Sequence, residues 1–250
     1  MRVNLETKDR IALVRGIFSR VALKYDLLNH VFSLGRDGFW RKAAAGRVKI
    51  FQTHRVLDLA CGTGDQALAL AKARPAARVV GVDFTFPMLE RARDKVGKKD
   101  LAGRVRLTAA DALCLPFPDG SFDSLTMAFG IRNIPDHETA LAEMLRVLVP
   151  GGRVLILELT FPRWSFIRRL YHSYLYRCIP RLGGLVSGQT LAYRYLADSI
   201  MDFPSPEEFR GKMVRAGFVN TGWLKLTLGV AALHWGEKPL EVVKSGPVML

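Results

Sequence analysis

Gly62-Thr63-Gly64 stands downstream of Asp58, and Asp83 and Asp111 come later at spacings that separate strands would give. Glycines at such a turn permit positive φ and remove side chains where a ligand must approach the backbone. A helix that starts at the turn aims its N-terminal N–H groups at the same place. Carboxylates can accept hydrogen bonds from ribose hydroxyls and exocyclic amines. This set of residues therefore points to a nucleotide-like ligand. A second set, Arg132-Asn133 with Tyr25, offers a guanidinium, an amide and a phenol that could handle an acidic hydroxyl on another reactant.

These residues need a scaffold, and the apolar patterning supplies one. Residues 55–61, 78–83, 105–109, 122–128 and 153–159 read as buried strands, and 65–74, 87–95 and 138–149 as the helices between them. Pro150-Gly151-Gly152 reads as the stop of the third helix. Alternating strands and helices predict a parallel sheet with right-handed crossovers and ligands beyond the strands' carboxyl ends. A helix over 206–216 and two strands, 219–227 and 230–235, close the pattern as an antiparallel pair. In front, 8–24 and about 37–47 read as amphipathic helices. The expected class is α/β: a Rossmann-like, mostly parallel sheet with a C-terminal antiparallel pair, an N-terminal helical lid and a helical insertion after the fifth strand. Within one domain, residues 1–50 form the lid segment, 51–159 and 201–240 the core, and 160–200 the insertion.

Gly62-Thr63-Gly64-Asp65-Gln66-Ala67 also fits the dinucleotide pattern G-x-G-x-x-G/A, which by itself does not separate NAD from S-adenosylmethionine. Three features do. Asp58 lies inside the strand that feeds the turn, where dinucleotide sites keep apolar residues. Asp111 comes after the third strand, where it suits an adenine amine together with the backbone of Ala112. The sheet closes antiparallel instead of with a second mononucleotide half. A cationic sulfonium also tolerates nearby carboxylates better than a pyrophosphate does.

Asp58-Leu59-Ala60-Cys61-Gly62-Thr63-Gly64, Asp83, Leu115-Pro116-Phe117 and Arg146 to Gly152 resemble the successive motifs of class I S-adenosylmethionine-dependent methyltransferases. Tyr25-Asp26-Leu27-Leu28-Asn29, Ser33-Leu34-Gly35, Phe129-Gly130-Ile131-Arg132-Asn133 and Tyr193 to Ile200 resemble, more narrowly, the UbiE/MenG family. That resemblance, from about Val14 to Glu237, implies C-methylation of a prenylated quinol in menaquinone or ubiquinone synthesis. It implies cofactor contacts at Thr63, Asp83, Asp111 and Ala112, with Ala128 able to contribute only backbone. Asp58, Gly62 and Gly64 complete the expected cofactor set. Leu28, Asp37 and Val149 stand where the family usually has Met, His and Lys.

Methylating an aromatic carbon needs an electron-rich ring, and a quinol becomes one when the hydroxyl next to the target carbon loses its proton. Its pKa near ~10 calls for a base or a stabilising cation. The methyl donor carries its own leaving group, so the protein's task is mostly to position two reactants. The resemblance makes Arg132 a participant in proton removal through water. Arginine holds its proton too tightly to act as a base, so the expected role is phenolate stabilisation, against the alternative of a loop anchor. Tyr25 is expected to hydrogen-bond ring oxygens from the lid, against the alternative of a packing aromatic. His30 and Asp37 are weaker candidates, Asp37 as a cap; His137 starts a helix, and His54 and His234 read as structural. No metal spacing and no Ser-His-Asp arrangement is read.

The net charge of +14 suits nucleic acid, an anionic membrane or an anionic ligand. It concentrates in the insertion, where no acid occurs between Glu158 and Asp198 while Arg163, Arg168, Arg169, Arg177, Arg181 and Arg194 are present. Projected as one helix, Trp164, Ile167, Leu170, Tyr171, Tyr174 and Cys178 share a face, the pattern of a membrane-surface helix. An ordinary lid packing on the domain has the same pattern. A nucleic-acid partner is excluded because the Asn/Asp-Pro-Pro-Tyr/Phe stretch of base methyltransferases is missing. Phosphatidylethanolamine N-methylation and a non-catalytic role in a quinone-synthesis complex are the alternatives weighed, and a homodimer stays open. Three cysteines, no apolar run near the ~18 residues of a membrane span and no signal-like N-terminus read as cytoplasmic, with peripheral contact to the cytoplasmic membrane.

Overall fold

The computed structural model describes residues 7–162, 164–187 and 190–240. The extreme N-terminus, Arg163 and the tail beyond Leu240, which figured among the expectations, lie outside the described residues. Five strands form the parallel part of one sheet: β1 (Arg55–Leu59), β2 (Arg78–Asp83), β3 (Val105–Ala109), β4 (Phe122–Ala128) and β5 (Leu148–Leu159). β6 (Val219–Leu226) and β7 (Ala231–Glu237) complete the order β3-β2-β1-β4-β5-β7-β6, with β7 antiparallel to both neighbours. The expected class and the antiparallel closure are both present.

Side-chain alternation splits β1 between the two faces. Leu57 and Leu59 join a buried cluster with Leu125, Met127 and Ile156, covered by α6 (His137–Val147) and α10 (Pro206–Arg215) through Leu141, Met144, Phe209 and Met213. Val56 joins the opposite cluster, covered by α3 (Asp37–Ala45) and α4 (Asp65–Ala73) through Trp40, Ala44, Leu70 and Ala71. Full burial of such Leu, Met or Phe side chains contributes roughly 2 kcal/mol each. Asp58 is carried to the same face as Val56, where its β4 neighbour is Thr126.

Three expectations need correction. The lid holds three helices: α1 (Thr7–Val21) and α2 (Tyr25–Phe32) precede α3, and α2 is a helix that the motif at Tyr25 to Asn29 did not announce. Pro150-Gly151-Gly152 does not stop α6. That helix ends earlier, at Val147, and β5 starts at Leu148 and takes in Pro150-Gly151-Gly152, with Val149, the residue before the proline, in the strand. The pairing of β4 with β5 then shifts register between Phe122 and Ser124. The insertion is also not one continuous helix. α7 (Ser165–Ser173) runs into a π-helical turn at Tyr174–Cys178, then α8 (Ile179–Ser187) and α9 (Thr190–Asp202). The extra residue per turn rotates α8 relative to α7, and the expected single face already divides within α7. Trp164 and Leu170 are exposed, and Tyr171 and Tyr174 pack with Leu175.

α5 (Phe86–Lys98) comes directly after β2. The lid is fastened to it and to the helix after the glycine turn: Lys95 Nζ meets Asp26 of α2 at 2.7 Å and also pairs with Asp65 of α4. Thr63 Oγ1 donates to the same Asp26 carboxylate. From α1, Arg15 donates to the Phe84 carbonyl at 3.2 Å.

Candidate active site

The turn after β1 is built as its glycines suggest. Gly62 and Gly64 have φ of 53° and 85°, and Gly64 is the residue before α4. A Cβ on Gly64 would stand 3.1 Å from Ala92, so glycine lets α4 and α5 approach there. A Cβ on Gly62 would project toward the Tyr25 ring, 3.9 Å away, into the cavity that both residues line. Asp83, at the end of β2, accepts from the Gly62 N–H at 2.9 Å and the Thr85 N–H at 2.8 Å. Burial raises its pKa, and those N–H bonds pull in the other direction.

Two cavities meet above this edge. The first is walled by Gly62, Asp83, Asp111, Ala112, Ala128 and Asn133, with Val14 and Phe18 from α1 and Met88 from α5. It gathers most of the expected cofactor set from four strand ends. Its glycine turn, carboxylates and apolar floor of Leu59, Ala60 and Ile134 fit a ligand with hydroxyls, an amine and a flat ring. Asp111 also accepts from the Leu113 N–H at 2.9 Å, which shapes the loop beneath that ring.

The second cavity lies between α1, α2 and α9 and ends on Arg132, Tyr193 and Tyr195. Phe18 and Tyr25 line both cavities, their rings edge to face with centroids 5.8 Å apart. A short 3-10 turn at Ile131–Asn133 sends Asn133 to the first cavity and Arg132 to the second. Phe129, at the end of β4, adopts φ 63°, uncommon for a bulky residue. It is held by the guanidinium of Arg41 over its ring at 5.0 Å and by Trp40 at 6.1 Å. Its carbonyl accepts from Arg132 Nη1 at 2.8 Å, and Asn133 in turn accepts from the Tyr195 hydroxyl at 3.1 Å.

Arg132 is buried and paired with Glu158 at 2.5 Å. Glu158 also accepts from the Arg132 N–H at 3.2 Å and the Leu159 N–H at 2.8 Å. Burial works against the charge of Arg132, but the Glu158 carboxylate outweighs it, so the guanidinium holds its proton more tightly than usual. Neutralisation by Glu158 weakens the expectation of a free cation aimed at a phenolate. The anchor role, read as the alternative, is present in the bond to Phe129.

Three members of the expected cofactor set do not line the cavity. Asp58 is buried beneath the turn, where Thr126 Oγ1 donates to it at 2.9 Å. Burial pushes its carboxyl up to about 7. Thr63 is engaged by Asp26 and by Lys95, whose Nζ is 3.3 Å away. Gly64 serves the packing of α4 on α5. His30 and Asp37 form a separate cap, Nδ1 to Oδ1 at 3.1 Å, joined by Ser33 Oγ at 3.0 Å. His54 has φ 55°, His137 reaches the Ile131 carbonyl at 3.0 Å, and His234 is fully buried.

Sequence reasoning missed Glu158, whose signal was a single acid closing the apolar run Val154-Leu155-Ile156-Leu157. It also missed the wall residues Phe18 and Met88, which in sequence were indistinguishable from ordinary amphipathic-helix residues.

The family model of the ubiE/COQ5 methyltransferase family matches residues 3–238. A demethylmenaquinone methyltransferase of Thermus thermophilus is 48% identical, over 89% of this chain and 100% of its own. A ubiquinone/menaquinone biosynthesis C-methyltransferase UbiE of Geobacter sulfurreducens is 46% identical, over 91% and 89%. Among solved structures, an S-adenosylmethionine-dependent methyltransferase of Thermotoga maritima superimposes with TM-score 0.62 at 23% identity, over 89% and 98% of the two chains. Phosphoethanolamine N-methyltransferase 2 of Haemonchus contortus, in complex with S-adenosylmethionine, gives 0.58 at 20%, over 80% and 52%. These two likenesses establish the fold.

Proposed function

The chain belongs to the ubiE/COQ5 methyltransferase family, and from that premise we propose how its two cavities serve S-adenosylmethionine-dependent C-methylation of a quinol in quinone biosynthesis. The observation that carries the reading is the shared wall: Tyr25 and Phe18 border both cavities, and adjacent residues Asn133 and Arg132 serve one each. A donor in the first and an acceptor ring in the second would meet at that wall.

S-adenosylmethionine supplies an activated methyl group on a sulfonium. Asp83 and Asp111 would take its ribose hydroxyls and adenine amine, with the Gly62 turn and Ala112 and Ala128 as backbone surface. In the second cavity Tyr25 lies within hydrogen-bonding reach of a ring placed against the wall and would orient its hydroxyl. Arg132, already balanced by Glu158, would add a directional N–H donor to a phenolate oxygen more than a net positive charge. A water at the polar end of the cavity would carry the proton away, since arginine does not give up its own. Burial of both reactants excludes bulk water and strengthens each of these contacts.

For the membrane as a partner, the support is an exposed apolar set beside the insertion. Trp164, Phe166 and Leu170 are 67%, 79% and 64% exposed, with Arg168 and Arg169 among them. Leu228, 68% exposed at φ 57°, projects from the β6–β7 hairpin, and its neighbour Thr227 accepts from Trp40 Nε1 at 2.9 Å. Such a set suits an anionic lipid surface from which a chained quinol is drawn. No helix among the described residues is long and apolar enough to cross a membrane.

The test offers labelled S-adenosylmethionine with demethylmenaquinol, its benzoquinol counterpart and phosphatidylethanolamine in parallel. Labelled quinol is the expected product; label in phosphatidylethanolamine alone would overturn the reading. Sedimentation with anionic vesicles should weaken with salt, and equal binding to neutral vesicles would remove the electrostatic part.

A further inference from the structure

The second cavity contains a polar atom that quinol methylation by Arg132 and Tyr25 leaves unused. Asn29 lines it from α2, and its Nδ2 is buried without a hydrogen-bond partner. A buried, unmet amide donor costs about 1–3 kcal/mol, and folded chains rarely leave one without a reason. Tyr25 and Asn29 are four apart on one helix, so the phenol and the amide share a face. Most of the remaining wall is apolar: Ile17 and Val21 from α1, Leu28 and Phe32 from α2, Ala192 and Leu196 from α9. A water would need two or more polar partners to settle there, and that stretch of wall offers few.

A quinol bears two oxygens on opposite sides of its ring. Arg132 reaches the cavity from the turn after β4 and Asn29 from the lid, so the two donors come from different walls. Resting on quinol C-methylation as the function, we propose that Asn29 Nδ2 donates to a ring oxygen of the acceptor, and that the isoprenoid chain leaves along Ile17, Val21, Phe32 and Leu196. The lid is then a substrate-reading element, and a quinol with a chain fills a groove that a bare ring leaves open. The orphaned amide finds its acceptor only in the complex.

The experiment is steady-state kinetics of the full chain with S-adenosylmethionine and two reduced demethylnaphthoquinols, one carrying a geranyl chain and one without it. Asn29→Leu is expected to raise KM for both quinols about tenfold, the equivalent of ~1.4 kcal/mol. Its cofactor Kd should stay at the wild-type value and its thermal midpoint should not fall, because Nδ2 has no partner to lose in the free protein. Asn29→Asp, which replaces the donor by an acceptor, should raise KM at least as much. Val21→Trp should raise KM for the geranyl quinol at least tenfold more than for the bare ring. Unchanged KM in both Asn29 variants overturns the contact, and equal shifts for the two quinols in Val21→Trp overturn the chain's route. A wild-type enzyme that methylates neither quinol would instead defeat the proposed function, so the two failures are distinguishable.

Discussion

The first cavity is made of strand ends and the second of helices, and the two respond differently to sequence. The wall that would hold the cofactor comes from β1, β2, β4 and the loop after β3, each leading into a turn whose residue types announce it. Gly62, Asp83 and Asp111 are in place because a parallel sheet delivers every strand's carboxyl end to one edge. The wall of the second cavity joins α1 and α2 near the N-terminus to Arg132 and to α9, far along the chain. Nothing local makes those segments neighbours. In the proposed function the rigid edge would bind the donor and the helical cover would recognise the acceptor, with Tyr25 lining both cavities.

The largest effect expected is on the first cavity. Asp83→Ala removes a buried carboxylate that takes two backbone N–H groups, and should weaken cofactor binding about 100-fold by calorimetry, roughly two charged hydrogen bonds. A smaller loss would mean that the turn stands without it and that the strand-end wall does not depend on Asp83.

Arg132→Ala should act on the other side. Turnover should fall about 100-fold while cofactor Kd changes less than about twofold. Leaving Glu158 buried and unpaired should also cost about 3 kcal/mol in urea unfolding. The double change with Glu158→Gln should recover most of that stability without recovering turnover. Recovery of both would make Arg132 an anchor only.

Lys95→Ala tests the fastening between the two regions. Lys95, about a quarter exposed, holds Asp26 beside Tyr25 to Asp65 beside the cofactor turn. Solvent screening limits such pairs to roughly 1 kcal/mol, so cofactor Kd and quinol KM should each rise about threefold. A change in only one constant would show that the lid and the turn move independently.

The smallest effect separates the layer under the turn from the residues that line the cavity. Asp58 has a folded pKa of about 7 against an ordinary 3.8, so the folded protein binds more protons than the unfolded chain between those values. Its contribution is therefore greatest in acid and is lost as pH rises through about 7. Asp58→Asn should gain thermal midpoint relative to wild type between pH 5 and pH 8, with cofactor Kd shifted less than about threefold. A larger shift in Kd would return Asp58 to the binding set.

The sheet and the glycine turn were legible because each rests on local chemistry. Period-two apolar runs, glycines at positive φ and acids at strand ends act within a few residues. Asp58 shows where that logic stops. Its spacing from Gly62 is that of a ligand contact, but pleating turns it inward to Thr126, and no sequence rule states which side of β1 faces the ligand. The insertion is a similar case: Trp164 and Leu170 are exposed although one helical projection sets them on a face with Tyr171 and Tyr174, which pack with Leu175, and that division depends on which neighbours the fold brings.

The sequence by itself determined the α/β architecture, the cofactor and the family's signature residues. Those depend on the order of residues along the chain. Only the tertiary structure decided that Glu158 neutralises Arg132, that Tyr25 and Phe18 divide two cavities, and that Asn29 keeps an unmet donor in one of them. Burial and pairing depend on segments distant in sequence brought within a few ångströms, and a buried charge or amide acquires its meaning from those neighbours.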